Sequence, residues 1–348
     1  MESQIRYCWN SKGNSEKMKK VIIFLSVLTL LITSCKKEVK KEQTIPSSDQ
    51  RVIVINEGNF GWGNADFGVY DPTSKEYQDH VFETINKRPL GDVLQSAIIH
   101  KDEMFLVINN SGTIEVVDKI NFKHKRTLSN LGTPRYLAVI EGTDEAYLSD
   151  TYSNKVSRIN LKTGKILSQT PAFGWLDRIV SINYKTYLVP SLISHVVYFI
   201  SSENNSVIDS IKFEGDLGKI QVFNDKVYLL ERLTGKSVIW EINENKELNP
   251  FLEQEDANIE LFDMTSDGCF VLSEGKLSIY EDSHFSSLTS LPATGKYYTM
   301  NYDNRSKLLY IADVRDYVRK GLVFVINKQG SINAQVEVGT IPNGFLFE

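Results

Sequence analysis

The sequence predicts an all-β protein, specifically a seven-bladed β-propeller of four-stranded blades whose first blade is closed by the C-terminal strand. Three observations lead to this prediction. Short apolar runs rich in Val, Ile, Tyr and Phe recur between turns rich in Gly, Asn, Asp and Ser, which is typical of β-strands. A unit of four such runs repeats along residues 51–348, and both ends of that stretch hold an incomplete unit.

The region before residue 51 indicates export and not a part of the fold. Met18, Lys19 and Lys20 precede an apolar core of 12 residues at positions 21–32, which is typical of a secretory signal. The alternative is a transmembrane helix, but a span needs about 20 apolar residues. The following Ile-Thr-Ser-Cys, ending at Cys35, resembles a bacterial lipobox.

These features divide the N-terminal region into three parts. We expect residues 1–17 to be an extension from a misassigned start codon and residues 18–34 to be a lipoprotein signal peptide. Residues 35–50, which are charged and then bear Pro and Ser, are expected to form a flexible tether lipidated at Cys35. The charged segment after Cys35 also resembles the signal that sends bacterial lipoproteins to the outer cell surface. This resemblance implies a location at the outer membrane, with a lipid anchor and the protein facing the cell exterior; a periplasmic orientation is the alternative.

The repeat is clearest in two consecutive units, residues 96–128 and 136–170. Each contains an apolar strand, a charged turn, a second apolar strand, an Asn/Ser loop, an alternating strand, a Lys-bearing turn and a last strand. Four strands with polar turns make one propeller blade. Further copies begin at Ile179, Ile220, Leu261 and Thr299.

The remaining blade is divided between the two ends of the repeat region. Residues 51–82 supply three strands, in VIVIN, DFGVYD and the run around EYQDHVF, and residues 339–348 supply the missing inner strand. Pairing of the two ends closes the ring and leaves no open edge. The 298 residues from 51 to 348 give about 43 per blade, within the propeller range. A β-sandwich or a pair of barrels would not explain a unit shared between the ends.

Charge and cysteine content exclude several classes of partner. The chain has a net charge of −5, and loss of residues 1–34, with five basic and two acidic groups, would leave −8. An acidic body argues against nucleic acid as a partner, and against membrane contact other than through the lipid anchor. Of the three cysteines, only Cys269 lies in the propeller region after Cys35, so no disulfide is expected in it.

The topology brings many polar and aromatic residues to one face. In a propeller, the loops joining the second and third strands of each blade share a face with the linkers between blades. The glycine-rich loop INEGNFGWGN, residues 55–64, is one such loop. Aromatic side chains give contact area at little entropic cost, and Arg and amide groups add directional hydrogen bonds. The predicted ligand-binding residues are Asn56, Glu57, Asn59, Trp62, Gln95, Asn110, Arg135, Tyr136, Asp150, Tyr152, Trp175, Arg178, Arg232, Tyr298, Asp313 and Tyr317.

A purely structural interpretation of the same residues stays open, because tight turns need Gly and Asn and aromatic side chains pack between blades. No enzymatic motif competes with binding. The five histidines show no metal-ligand spacing, no GxSxG occurs, and GNFGWG lacks the dinucleotide-binding order. We therefore predict that the protein is not an enzyme and that it has no catalytic residue, no bound metal and no cofactor. The alternative is a cation held at the central channel, as in propeller lactonases, by Glu57, Asp150, Glu231, Asp263 and Asp313.

Four sequence segments resemble those of a known family: NEGNFGWGNADFGVYDP (56–72), RPLGDVLQS (88–96), VINNSGTIEVVD (107–118) and GTPRYLAV (132–139). They resemble the surface-layer, YncE-like β-propeller lipoproteins of Bacteroidetes, a family that includes the vitamin B12-binding surface lipoprotein BtuG. The resemblance implies a cell-surface lipoprotein that binds a small nutrient, cobalamin or another corrinoid, and passes it to a TonB-dependent outer-membrane receptor. Cobalamin would then be a transported ligand. The alternatives are a non-catalytic protein- or glycan-binding scaffold or adhesion propeller, and a metal-dependent, lactonase-like hydrolase.

Overall fold

A computed structural model describes residues 51–348; the predicted extension, signal peptide, lipidation site and tether lie outside the described residues. The first three strands and the single helix of the described part, α1, are short. Their bounds are β1 (Val52–Asn56), β2 (Asp66–Tyr70), β3 (Tyr77–Gln78) and α1 (Val81–Asn86).

The next twelve strands form three consecutive sheets, blades 2 to 4. Their bounds are β4 (Leu94–His100), β5 (Glu103–Ile108), β6 (Thr113–Asp118), β7 (His124–Leu128), β8 (Pro134–Val139), β9 (Glu145–Asp150), β10 (Lys155–Asn160), β11 (Ile166–Pro171), β12 (Val180–Asn183), β13 (Thr186–Ser191), β14 (Val196–Ser201) and β15 (Ser206–Lys212).

The last thirteen strands form blades 5 to 7 and return to blade 1. Their bounds are β16 (Asp216–Phe223), β17 (Lys226–Leu233), β18 (Lys236–Ile242), β19 (Leu248–Glu255), β20 (Ile259–Thr265), β21 (Gly268–Ser273), β22 (Lys276–Glu281), β23 (His284–Ser290), β24 (Tyr297–Asp303), β25 (Leu308–Asp313), β26 (Lys320–Asn327), β27 (Ile332–Thr340) and β28 (Pro342–Phe347).

The predicted seven-bladed propeller is confirmed. There are seven four-stranded antiparallel sheets. In blades 2 to 7 the first strand along the chain is innermost, and in blade 1, of order β28-β1-β2-β3, the C-terminal strand takes that place. The C-terminal strand pairs with β1 as predicted, with Phe345 opposite Val54 and Leu346 opposite Ile53. The two ends of the propeller therefore complete one sheet by hydrogen bonding alone.

A buried arginine reinforces this closure. The Arg51 side chain forms an ion pair with Glu348. It also donates to the backbone carbonyls of Lys119, at 2.7 Å, and Ile120, at 2.9 Å, in blade 2. Arg51 thus ties the beginning of β1 to both the end of the described chain and the neighbouring blade.

The hydrophobic core is divided into seven clusters, one between each pair of neighbouring blades. Successive strand residues point to opposite faces of a sheet. Ile53 and Ile55 consequently pack toward blade 2, and Val52 and Val54 pack toward blade 7. Both faces of a blade are buried, which explains why the inner runs are apolar throughout and do not alternate.

The third strand of blade 1 is present in the run around EYQDHVF, as predicted, but it is shorter than that run. Pairing ends at Gln78, and α1 begins at Val81. The Asp66 carboxylate of β2 accepts the backbone N–H groups of Phe82, at 2.9 Å, and Glu83, at 3.1 Å. Side-chain oxygens at these positions stabilise the first turn of a helix. The buried side chains Val81 and Phe82 then fill the space between blades 1 and 2.

Two further features concern the sequence predictions. Cys269 is a free, buried thiol. Within residues 51–348, no helix has the length and apolar character needed to cross a membrane.

Candidate functional site

The loops between second and third strands and the linkers between blades lie on one face, called here the upper face. Backbone hydrogen bonds connect these segments around the ring. Glu57 donates to Ile341 O and Gly58 to Thr340 O, which joins the β1–β2 loop to the β27–β28 linker. Farther around the ring, the Tyr152 and Trp175 rings meet edge to face at 6.1 Å. The loops carrying Trp62 and Trp175 therefore belong to the same face.

Six of the sixteen predicted residues gather around the upper end of the central channel. We call them the mouth cluster: Glu57, Gln95, Arg135, Tyr136, Arg178 and Tyr298.

Three members of the mouth cluster, Gln95, Tyr136 and Arg178, line a cavity of about 180 Å³. The inner strands of blades 1, 2, 3, 4 and 7 supply its walls. Its polar lining comes from Gln95, Tyr136, Arg178, Asn301 and Asn343. Because strands from non-adjacent blades line it, this cavity is the central channel and not a gap between two blades.

Glu57 is the carboxylate of the mouth cluster. Burial raises its pKa from 4.5 to about 7, against the opposing effects of Arg135 and of a hydrogen bond from Asn343. The Asn343 amide donates to Glu57 Oε2 at 3.4 Å and to the Gln95 carbonyl at 3.0 Å. Glu57 therefore changes charge near neutral pH, where an ordinary glutamate is fully ionised.

The two arginines of the mouth cluster are in different states. Arg135 pairs with Asp177, at 3.1 Å from Nη2 to Oδ1. Arg178 instead stacks on the Tyr136 ring, 4.9 Å from the guanidinium carbon to the ring centroid. Burial raises the pKa of the Tyr136 hydroxyl, so at neutral pH this ring faces the guanidinium in its uncharged form.

The second group of predicted residues forms a rim around the mouth: Asn59, Trp62, Asn110, Tyr152, Trp175 and Tyr317. Trp62 and Tyr152 are 70% and 66% exposed, well above what packing between blades would allow. Tyr317 meets Tyr298 of the mouth cluster edge to face at 6.3 Å. Rim and mouth cluster are thus continuous.

Sequence reasoning missed several members of this rim. Four large apolar side chains on the same loops and linkers are at least 60% exposed: Phe60, Phe173, Ile193 and Val318. It also missed Asn343 and Asp177 as partners of the mouth cluster. The Pro-Asn-Gly turn at residues 342–344 was the available signal for Asn343, and GWLDR at 174–178 was the signal for Asp177.

The last four predicted residues are engaged in the fold. Asn56 donates to the Tyr77 hydroxyl at 2.9 Å. Asp150 accepts from the backbone N–H groups of Thr133, Tyr152 and Ser153.

Asp313 and Arg232 have comparable roles in blades 5 to 7. Asp313 accepts from the backbone N–H groups of Lys296 and Arg315. Arg232 donates to the backbone carbonyls of Ile259 and Glu260, both at 2.8 Å. Side chains at the end of the second strand therefore hold the incoming linker in place, which leaves them little capacity for a ligand.

The acidic residues considered for a channel cation do not converge. Glu231 accepts from the backbone of Glu214 and Gly215 and from the Trp240 indole, and Asp263 pairs with Lys219. In the described part of the chain, the one grouping with metal-ligand geometry is Asp66, His80 and Glu83. It lies beside α1 in blade 1, away from the channel.

Comparison with protein families gives one match. Residues 51–247 match the family described as "Domain of unknown function (DUF5074)". A search of curated proteins found no match.

Comparison with solved structures returns β-propellers of low sequence identity. A quinonprotein alcohol dehydrogenase-like protein from Bacteroides thetaiotaomicron has a TM-score of 0.67 at 14% identity, covering 86% of this chain and 78% of its own. A periplasmic gluconolactonase from Pseudomonas aeruginosa has a TM-score of 0.65 at 12% identity, covering 85% and 98%. The hydrazine synthase of Kuenenia stuttgartiensis has a TM-score of 0.58 at 16% identity, covering 69% and 85%. At these identities the likeness concerns the fold alone.

Proposed function

The chain belongs to the DUF5074 family, and we propose that this member is a surface lipoprotein that binds a small nutrient ligand on its upper face and passes it to a TonB-dependent outer-membrane transporter. The ligand we propose is cobalamin or another corrinoid, carried as cargo. In this proposal the protein is anchored by lipid at Cys35, has no cofactor of its own and is not an enzyme.

The observation that carries the proposal is the rim of exposed aromatic side chains around a polar mouth. Monomeric soluble proteins rarely expose several large apolar groups together unless they bind something. Trp62 and Trp175 offer flat, rigid contact area, and the mouth cluster offers amide and guanidinium donors at its centre. A flat macrocycle with amide arms matches this combination, because the ring can lie on the rim while an arm enters the channel.

A protein or glycan partner is a second candidate for the same face. Ile193 and Val318 are aliphatic, 60% and 61% exposed, and belong to loops of the upper face. Aliphatic surface of this kind favours a protein partner such as the proposed transporter. Capture of an outer-membrane receptor by the immobilised protein, lost on Val318→Asp, would support this role.

Titration with cyanocobalamin tests the proposed ligand. We expect saturable heat and a shift of the cobalamin absorption at micromolar protein, weakened at least tenfold by Trp62→Ala. Tyr184→Ala is the matched control, because Tyr184 is 62% exposed in a turn on the opposite, lower face. If the wild-type protein gives neither heat nor a spectral shift, cobalamin is not the ligand.

A further inference from the structure

We propose that the central cavity is a binding subsite for a single oxyanion, a carboxylate or a phosphate, held by the Arg178 guanidinium. The subsite would take the charged arm of whatever ligand covers the upper face.

Arg178 is the first reason. Its guanidinium stacks on Tyr136 and makes no hydrogen bond or ion pair with any residue in the described range 51–348. By contrast, Arg135 pairs with Asp177, and Arg232 donates hydrogen bonds to two backbone carbonyls. A guanidinium presents five donors in a planar fork that matches an oxyanion. Stacking fixes the plane of the Arg178 fork while its donors stay free.

Cavity size is the second reason. About 180 Å³ is below the roughly 300–1,000 Å³ of sites that enclose a whole small molecule. It corresponds to about six water molecules at roughly 30 Å³ each. A carboxylate or phosphate group with a short stem fits this space, and a complete corrinoid does not.

The charge balance of the channel is the third reason. Lys219 and Asp263 form an ion pair on the inner strands β16 and β20, and Arg135 and Asp177 form another at the mouth. The charge of Arg178 also acts on Lys219 and Asp263, so these three groups together carry one excess positive charge. Arg178 is itself exposed, so an anion that enters from the mouth can reach its guanidinium.

Glu57 is the remaining charge that faces the cavity mouth. It is surrounded by Arg135 from β8, Asn343 from β28 and Tyr298 just inside β24. When Glu57 loses its proton near pH 7, the net charge around the mouth falls by one. The affinity for propionate, whose charge is constant over this range, should therefore fall by several-fold as the pH rises from 6 to 8.

This inference rests on the proposed function only for the identity of the molecule that carries the anionic group. The subsite itself can be tested without cobalamin, so the two proposals can fail separately. Propionate and inorganic phosphate are the anionic probes, and propionamide is the uncharged probe of the same shape as propionate.

The experiment follows the NMR signals of the Arg178 Nε–Hε group and of the Tyr136 backbone amide in the full chain, at constant ionic strength. We expect saturable shifts with propionate or phosphate at millimolar concentrations. Propionamide should bind at least fivefold more weakly. Arg178→Gln should abolish the Tyr136 shift, and Arg178→Lys should weaken it. Arg305→Gln, at a lower-face arginine in the β24–β25 turn, is the matched control and should leave it unchanged.

Each outcome decides the proposal. A response to phosphate alone or to propionate alone supports the subsite and identifies its anion. Equal binding of propionamide, no saturable shift, or a shift that survives Arg178→Gln would overturn it. Anion binding without cyanocobalamin binding leaves the subsite in place and rejects the proposed cargo, whereas the reverse result rejects the subsite alone.

Discussion

Replacing Glu57 by glutamine should stabilise the protein, and only above about pH 5. Burial raises the pKa of Glu57 from 4.5 to about 7, so the folded protein holds a proton that the unfolded chain has released. Below pH 4.5 the carboxyl group is protonated in both the folded and the unfolded state, so its burial does not lower the free energy of unfolding. Between pH 4.5 and 7 the folded state loses stability as pH rises, and above pH 7 the cost is constant.

The size of the effect follows from that difference in pKa. Each pH unit corresponds to roughly 1.4 kcal/mol, so ionised Glu57 costs the folded state about 3 kcal/mol at pH 8. Glutamine keeps an oxygen that can accept from Asn343 and has no charge to bury. Arg135 loses one favourable neighbour but retains its ion pair with Asp177.

Urea unfolding of the wild-type protein and Glu57→Gln, at several pH values from 4.5 to 8.5, measures the difference. For a slope near 3 kcal/mol per molar urea, the expected gain at pH 8 is about 1 M in the midpoint. The gain should vanish near pH 4.5. Burial also raises the pKa of Asp66, to about 6. Asp66 is present in both proteins, so its contribution to the pH dependence cancels in the difference between them.

The matched control is Glu214→Gln, because Glu214 is exposed in the linker before β16. This substitution should change the free energy of unfolding by less than about 0.5 kcal/mol. A Glu57→Gln gain that did not depend on pH, or a loss of stability at pH 8, would refute the reasoning that burial of the charge is the dominant effect.

Three further predictions concern closure, the channel and the thiol. Phe345→Ala, at an 8% exposed side chain of the closing strand, should lower the free energy of unfolding by about 3–5 kcal/mol in urea titrations, and a loss below 1 kcal/mol would show that closure does not depend on this packing. Lys219→Met should cost about 3–5 kcal/mol at pH 8 because it leaves the Asp263 carboxylate buried and unpaired, and adding Asp263→Asn should restore most of that loss; no restoration would contradict the ion-pair explanation. Burial raises the pKa of the Cys269 thiol, so its reaction with a thiol reagent, assigned by comparison with Cys269→Ser, should proceed only as fast as the protein unfolds.

The architecture could be predicted from sequence because it is repeated seven times. An error in one strand does not disturb the count, and the split unit at the two ends specifies how the ring closes. The helix α1 escaped prediction for a local reason. Its N-terminal N–H groups are satisfied by Asp66, sixteen positions before Phe82, and no signal within the helix itself announces that contact.

The composition of the site was harder to predict than its location. Glu57 and Asp150 both follow a second strand, and in sequence they look equivalent. Asp150 accepts several N–H groups from its own blade and the preceding linker, whereas Glu57 lies beside Arg135, far along the chain. Arg178 and Arg232 differ in the same way. Arg232 donates to backbone carbonyls and Arg178 stacks on an aromatic ring, and only the assembled propeller reveals this difference.

The position of Arg51 shows at which face the chain enters the propeller. β1 runs from Arg51 up to the loop that carries Trp62, so the chain enters the propeller at the face opposite the mouth, where Glu348 also lies. In the proposed lipoprotein, the chain leading from Cys35 would therefore join the propeller on the face opposite the aromatic rim.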